Sequence, residues 1–416
     1  MGSRFKIIRT CVLVSAFLLP HAVASAAPIL FLSTQLVPLP EAEKMRTAIL
    51  KDFPQPVDFE PYDQRAVFVE KVVALAGSRG GSVVLGGLQE DFLRLYRMGA
   101  LASVEGMVPE MSDRTFLPLM ARRGRLGTDT AYFVPWMQAT YLMAANKRAL
   151  RFLPKGADLR HLSYDELLEW AAAMYQSTGK ARLGFPVGPN GLMMRFLQGY
   201  LYPSFTGSMT DGFSSPQALG MWRYLRELWH YVAPSSLMTN RMDSALLNGE
   251  VWVAWDHTAR LLQAFNEKPD DFVAFPGPAG PMGRGFISVV AGLGVPRGSL
   301  YASAGSLIGY LTRPSIQVET MESVGFLPVV QTGAATAVSR GVSSLLKAVE
   351  EQSGSADAIV SAVPIRAAAA ARAFDLAYLV AFSRIVLRDK PAQDVLAVQQ
   401  KVLRGAETGS VPEDRP

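Results

Sequence analysis

Apolar and polar positions along residues 28–100 alternate between two periods. PILFLS (28–33) is a short apolar run suited to a buried strand. EAEKMRTAILKDF (41–53) then places Ala42, Met45, Ile49 and Phe53 at helical spacing. VDFEPY (57–62) reads as a strand, and RAVFVEKVVALAG (65–77) as a helix ended by Gly77. GSVVLGG (81–87) predicts a third strand, and EDFLRLYRMGA (90–100) a third helix stopped at Gly99. Strands and helices alternating at this spacing predict a parallel sheet with right-handed crossovers.

The stretch YFVPWMQATYLMAANKRAL (132–150) breaks the pattern. It begins as a strand, yet it holds Pro135, which a central strand does not accommodate. Beyond it the chain is mostly helical. Ser163 and Glu166 form a capping box before an apolar stripe from Leu167 to Tyr175. Ser215-Pro216 supplies a cap and a first-turn proline before Leu219, Trp222, Leu225 and Trp229. NGEVWVAWD (248–256) and FISVVAGLGVP (286–296) read as strands, separated by the Pro/Gly loop 276–285. The C-terminal third reads as helical, most clearly at 375–387 and 394–403.

The first 26 residues change the picture of compartment. Arg4, Lys6 and Arg9 precede the apolar run 10–19, and Pro20 and small residues through Ala26 follow it. This is the layout of a cleaved Sec-type signal peptide, too short to span a membrane. Cys11, the only cysteine, falls near the start of that run, away from the lipoprotein position. A cysteine-free mature chain has no disulfide, no thiol nucleophile and no cysteine-bound metal. Its core alone must hold it, most naturally as two domains. Formal charge is +5, and removing Arg4, Lys6 and Arg9 leaves +2. The short basic cluster Arg122-Arg123-Gly124-Arg125 has no interleaved aromatics, so no nucleic-acid partner is expected.

H-E-x-x-H, phosphate-loop and G-x-S-x-G motifs are absent from the sequence. The chemistry left over collects just past strand ends, where open parallel sheets bind ligands. Ser33, Thr34 and Gln35 follow the first strand, Tyr62 and Asp63 the second, and Gln89, Glu90 and Asp91 the third. For each residue, helix capping or turn chemistry competes with ligand contact. Amides, hydroxyls, carboxylates and an aromatic along one sheet edge suit a polyhydroxylated ligand.

Several segments in family order resemble the family 1 extracellular solute-binding proteins of bacterial ABC transporters, the group that includes the maltose-binding protein. They are SVVLGGLQEDFLRLYRMGALASVE, YFVPWMQATYLMAANKRAL, NGEVWVAWDHTARL, FPGPAG with FISVVAGLGVPRGS, VGFLPVV (324–330), and the helix pair 375–403. The resemblance implies an α/β fold of the two-lobed periplasmic binding protein type (type II). Each lobe would be a mostly parallel sheet flanked by helices, joined by a hinge of two to three crossover strands. It divides the chain into signal 1–26, lobe 1 at 27–139 plus 291–330, and lobe 2 at 146–288 plus 340–408. The hinge would lie near 137–146, 288–292 and 328–340.

The same resemblance places Pro135 and Trp136 on the first crossing, with Trp136 and Gln138 toward the cleft floor. From lobe 2 it offers Asn190 and Arg195, then Trp255, Asp256, His257 and Arg260. Ala259 stands where the maltose-binding protein keeps a stacking tryptophan, so malto-oligosaccharide specificity is not implied. Arg195 and Arg260 either favour an anionic ligand or pair with Glu90 or Asp256 and orient them. The implied function is capture of a small carbohydrate and its delivery to an inner-membrane ABC permease by a monomeric periplasmic receptor. Neither a cofactor nor a metal is expected. Alternatives are a hydrolase using Asp63, Glu90 and Asp256, or a receptor for an anionic polyol such as a glycerol phosphate ester.

Overall fold

The structure, a computed structural model, describes residues 27–78, 81–107, 111–189, 191–208, 212–332, 338–361 and 368–407. The expected signal segment 1–26 lies outside the described residues, as does Asn190.

Three parallel strands open the fold: β1 (Ile29–Ser33), β2 (Val57–Pro61) and β3 (Val83–Leu88). Their connections run through helices Leu39–Lys44 and Arg65–Leu75, close to the spans that periodicity predicts. β4 (Val134–Ala139) and β5 (Tyr141–Asn146) follow one another with only Thr140 between them, yet they belong to different sheets. β6 (Leu183–Gly184), β7 (Val253–His257) and β8 (Phe272–Phe275) join β5 in a four-stranded sheet ordered β6-β7-β5-β8. β9 (Arg284–Ile287) and β10 (Val289–Gly294) again part at a single residue, Ser288. β10 completes a five-stranded sheet ordered β2-β1-β3-β10-β4, while β9 pairs with β11 (Ala358–Ser361). Each main sheet thus has one reversed strand, β10 or β5, and it is the one entered directly from elsewhere in the molecule.

Pro135 fits because β4 lies at the edge of the sheet, with β10 as its one strand neighbour there. The register slips there. Met137 faces Ala291 and Pro135 faces Gly292, which leaves Trp136 as the extra residue of a bulge. Trp136 is consequently turned inward, fully buried, with its ring 5.6 Å from Phe31. It belongs to the first lobe's core and offers no face to a cleft, correcting the expectation that it forms the cleft floor.

Local sequence explains the long helices of the second lobe. Ser163 Oγ accepts the Glu166 N–H at 3.2 Å, and Glu166 Oε2 accepts the Ser163 N–H at 2.8 Å. Gly179 closes this helix in the left-handed conformation, φ 66°. Ser215 caps Pro216–Trp229 the same way through Ala218 N. The expected strand 248–256 is shorter than predicted. It runs from Val253 to His257, and Trp252 just before it has the Arg182 and Arg148 guanidinium groups over its ring.

Buried apolar clusters follow the two sheets. One gathers Phe31, Ile49, Phe59, Trp136 and Leu293. Another gathers Trp170, Phe196, Trp222, Trp255 and the C-terminal Leu396 and Leu403. A third is shared: Val318, Met321 and Leu327 join Leu142, Leu261 and Phe265, forming an apolar seam between the lobes. A third passage of chain follows, from Val329 and Val330 in the first lobe to helix Arg340–Ser353 in the second. Part of it, residues 333–337, lies outside the described residues.

Candidate functional site

The three loops past β1, β2 and β3 are tied to one another. Asp91 is buried, and its Oδ2 accepts the Thr34 hydroxyl at 2.8 Å and the Leu88 N–H at 2.9 Å. Arg65, at the start of the helix after β2, lies 3.5 Å from Asp91 Oδ1 and pairs with Glu90. Ser33 is fully buried and spends its hydroxyl on its own turn, donating to Gln35 O and accepting from Gln35 N. It shapes the loop and is not free for a ligand, correcting its placement among contact residues. Half-buried Gln35 and Gln89 remain at the rim, the first bonded to Thr34 and the second accepting from Arg123 at 3.3 Å. Tyr62 donates to Glu60 at 2.6 Å; burial and then Glu60 push its hydroxyl up to about 12. Asp63 is exposed beside it.

Buried polar groups knit the crossings together. Gln138 donates to Pro328 O at 2.7 Å, and its backbone bridges Leu327 in both directions. It binds two chain passages together and does not reach the cleft, a second correction at this strand. Thr140 Oγ1 donates to Ile287 O at 2.7 Å, lies 3.1 Å from Tyr200 Oη, and accepts from Gln352 Nε2 at 2.9 Å.

The second lobe meets the first at the end of β7. Trp255 and Asp256, near the end of β7, are both fully buried. Trp255 is stacked on Tyr141, centroids 4.9 Å apart at 11°, so that face is unavailable to a ligand. Asp256 gives one oxygen to Met242 N–H and the other to His257 N–H, each at 2.7 Å. Burial raises its carboxyl to about 6 against these hydrogen bonds and Arg260. Asp256 therefore positions its neighbours and does not contact a solute, correcting its expected role, as burial also does for Trp255.

Past that point His257 and Arg260 are half-buried. His257 caps helix Thr258–Glu267, its Nδ1 accepting the Ala259 N–H at 3.2 Å. That bond puts the ring proton on Nε2. Burial, reinforced by Arg260, lowers His257 to about 4, so it is neutral at pH 7. Its ring meets Tyr141 at 5.2 Å and, from the facing lobe, Phe326 at 6.4 Å. Arg260 is held by the Asn240 carbonyl and, at 3.5 Å, by Asp256. Arg195, half-buried on helix Met193–Phe196, has no hydrogen-bond or ion-pair partner among the described residues. Burial raises the Tyr141 hydroxyl, and Arg195 and Arg260 pull it back, so both charges act at that atom. Nearby, a Cβ built on Gly325 would stand 2.6 Å from Ala259 Cβ, so the lobes touch here. A cavity of about 560 Å³ opens beside this contact, between Glu41 and Lys44 of one lobe and Gln263 and Asn266 of the other.

Tyr141, Phe326 and the Thr140–Gln352 pair are absent from the sequence-based candidates. The signal for Tyr141 is its place directly after the crossing residue Thr140.

The two-sheet architecture with paired crossings defines a two-lobed binding protein, and the comparisons agree. Residues 52–342 match the bacterial extracellular solute-binding protein family, and the chain belongs to it. Comparison with curated proteins finds no match. Among solved structures, UgpB from Mycobacterium tuberculosis in complex with glycerophosphocholine is similar at TM-score 0.65 and 18% identity, covering 93% of this chain and 100% of that one. Maltose-bound MalE3 from T. maritima is similar at 0.65 and 18%, covering 91% and 99%. The sugar-binding MalE of Xanthomonas citri is similar at 0.65 and 16%, covering 92% and 98%. At these identities the likeness concerns the fold.

Proposed function

We propose that this protein is the receptor of an ABC importer. It captures a small carbohydrate or related polyol between its lobes and presents it to an inner-membrane permease. The observation that carries this reading is the edge-to-face approach of His257 in one lobe to Phe326 in the other, beside chain crossings only one residue long. Arg195, Gln35, Tyr62, Asp63, Gln89 and Glu90 complete the set of accessible polar side chains at lobe edges. Lobe 1 is read as 27–139 plus 291–330, and lobe 2 as 146–288 plus 340–408.

The mechanism follows from two-lobe geometry. A solute first binds groups on one lobe. Groups on the other reach it only after rotation at the crossings, so binding favours the closed state by their added contacts. Phe326 supplies an apolar face for a sugar ring; Tyr141 Oη and His257 Nε2 supply donors. The permease then distinguishes closed from open. Export by the N-terminal segment would place the protein in the periplasm, as a monomer.

The test is a thermal-shift screen of sugars and polyols, followed by scattering with and without each hit. A solute at ~100 times its dissociation constant adds about 2.7 kcal/mol to stability. Stoichiometric binding with compaction and no product supports the receptor. Turnover of a glycan favours a hydrolase instead. Asp256, one of the carboxylates a hydrolase would use, is fully buried with both oxygens hydrogen-bonded.

A further inference from the structure

Large apolar side chains left in solvent are not spread evenly over this molecule. Of fifteen exposed among the described residues, five fall close together in sequence: Leu376, Leu379, Leu387, Val398 and Val402. The others occur singly or in twos along the chain, which is ordinary for a soluble surface. The five sit on one hairpin of the second lobe. Helix Ala368–Ala381 runs on into Phe382–Leu387, and helix Ala392–Glu407 returns against it. Leu376, Leu379, Ser383 and Leu387 recur at three- and four-residue steps and so share one face; Val398 and Val402 do the same on the returning helix. The opposite faces are spent on the core, which takes Phe374, Tyr378, Phe382, Leu396 and Leu403.

The two helices leave a furrow between them. A hollow of about 450 Å³ is lined by Arg384, Arg388, Lys390, Asp394 and Val398, and one of about 280 Å³ by Leu379, Val380 and the same two arginines. Arg384, Arg388, Lys390 and Lys401 are exposed and have no ion-pair partner among the described residues. Asp394 is the carboxylate that lines the furrow; Asp389 is turned to Arg226 at 3.0 Å and Asp375 to Gln198 at 2.7 Å. The surface presented is therefore apolar and net positive. Its make-up is unlike that of a protein-binding patch. Such patches take their energy from exposed aromatics and are poor in lysine, leucine and valine. Here the aromatics, Phe374, Tyr378 and Phe382, are all buried, and leucine, valine, arginine and lysine are exposed. That composition suits a helix lying in a bilayer interface, with aliphatic groups at the acyl boundary and basic groups at anionic headgroups.

We propose that this hairpin is a membrane-docking surface that adsorbs on an anionic lipid bilayer. Leu376, Leu379, Val398 and Val402 enter the headgroup boundary, and Arg384, Arg388, Lys390 and Lys401 meet lipid phosphates. The protein lies on the bilayer and does not cross it: among the described residues no helix is long and apolar enough. Adsorption is reversible, because a few aliphatic side chains and four basic groups hold a surface without anchoring in it. The docking is independent of what the cleft holds. It confines the protein to the plane of a membrane.

Co-sedimentation with lipid vesicles tests this. The protein is purified after export, with loss of residues 1–26 confirmed by mass, because that segment holds an apolar run of its own. The expected result is adsorption to vesicles of phosphatidylglycerol mixed with phosphatidylcholine, weakened by salt, and little to phosphatidylcholine alone. Arg384→Gln with Arg388→Gln should lower the partition constant roughly 20-fold, since each basic group near an anionic surface is worth about a factor of five. Leu379→Ser with Val398→Ser should lower it roughly 10-fold on the same vesicles. All four side chains are exposed, so both variants should melt at the wild-type temperature. No adsorption of the wild type at low salt, equal adsorption to both kinds of vesicle, or adsorption undiminished in either variant overturns the proposal. So does a concentration-dependent dimer that Leu379→Ser with Val398→Ser abolishes and vesicles do not disturb; the face then belongs to a second copy. The solute screen reads the cleft separately, so none of these failures touches the receptor reading.

Discussion

Gln352 donates its side-chain amide to Thr140 Oγ1 over 2.9 Å, across 212 positions of sequence. The same amide reaches Tyr141 O at 3.2 Å, while its oxygen accepts the Gly277 N–H at 2.9 Å. A fully buried glutamine thus connects the first crossing to the approach to the second.

Replacing it tests how firmly the crossings are held. Gln352→Leu keeps the volume but leaves the Gly277 N–H and Thr140 Oγ1 short of a partner. Stability should fall by about 1–3 kcal/mol, the usual penalty for buried unsatisfied polar groups. Urea denaturation reads this, and an unchanged midpoint would mean that the network contributes nothing.

Trp136 separates a core role from a cleft role. Truncation to alanine removes a fully buried indole packed on Phe31. The expected loss is about 3–5 kcal/mol. Wild-type stability in Trp136→Ala, measured by thermal melting, would contradict the inward placement.

Much of the fold is legible along the chain, and the reasons for the failures are particular. β1 to β3 and their helices can be read because each periodicity is set within a dozen residues. Pro135 marks the edge strand correctly. The direction of Trp136 is not readable, because a one-residue bulge reverses faces and leaves no signature in composition. Asp256 and Trp255 are offered as cleft residues by the family resemblance; only their tertiary partners, Tyr141 stacked on Trp255 and the Met242 N–H on Asp256, show them sealed. Conversely, Arg260 paired with Asp256, one of two outcomes the sequence left open, while Arg195 paired with nothing among the described residues.

Asp256 should give a pH signature. Its folded value of about 6 exceeds the ordinary 3.8. Between these values the folded protein holds a proton that the unfolded chain has released, so acidification favours folding across that window. The stabilisation is complete below the unfolded value and disappears as pH rises through the folded one. The stability of wild type minus that of Asp256→Asn should therefore increase by about 2–3 kcal/mol from pH ~6 to pH ~4. His257 opposes this: lowered to about 4 from 6.5, it loses stability as pH falls through that range. Denaturation curves across pH should give His257→Asn a difference profile of opposite slope; matching slopes would refute both assignments.

Gly325 is the place to pry the lobes apart. Its φ of +79° already penalises any side chain by roughly 1–2 kcal/mol. A branched residue would additionally strike Ala259. Gly325→Val should melt earlier and scatter as a more extended particle than the unliganded wild type. Identical scattering profiles would show that this contact does not limit approach.

The crossings also have a parity. Three passages are an odd number, so the described chain starts at β1 in one lobe and finishes in the other, where Leu396 and Leu403 are buried. Dyes attached at the two ends would ride on separate bodies. Energy transfer between them would then track any closing motion while every cleft side chain stays native.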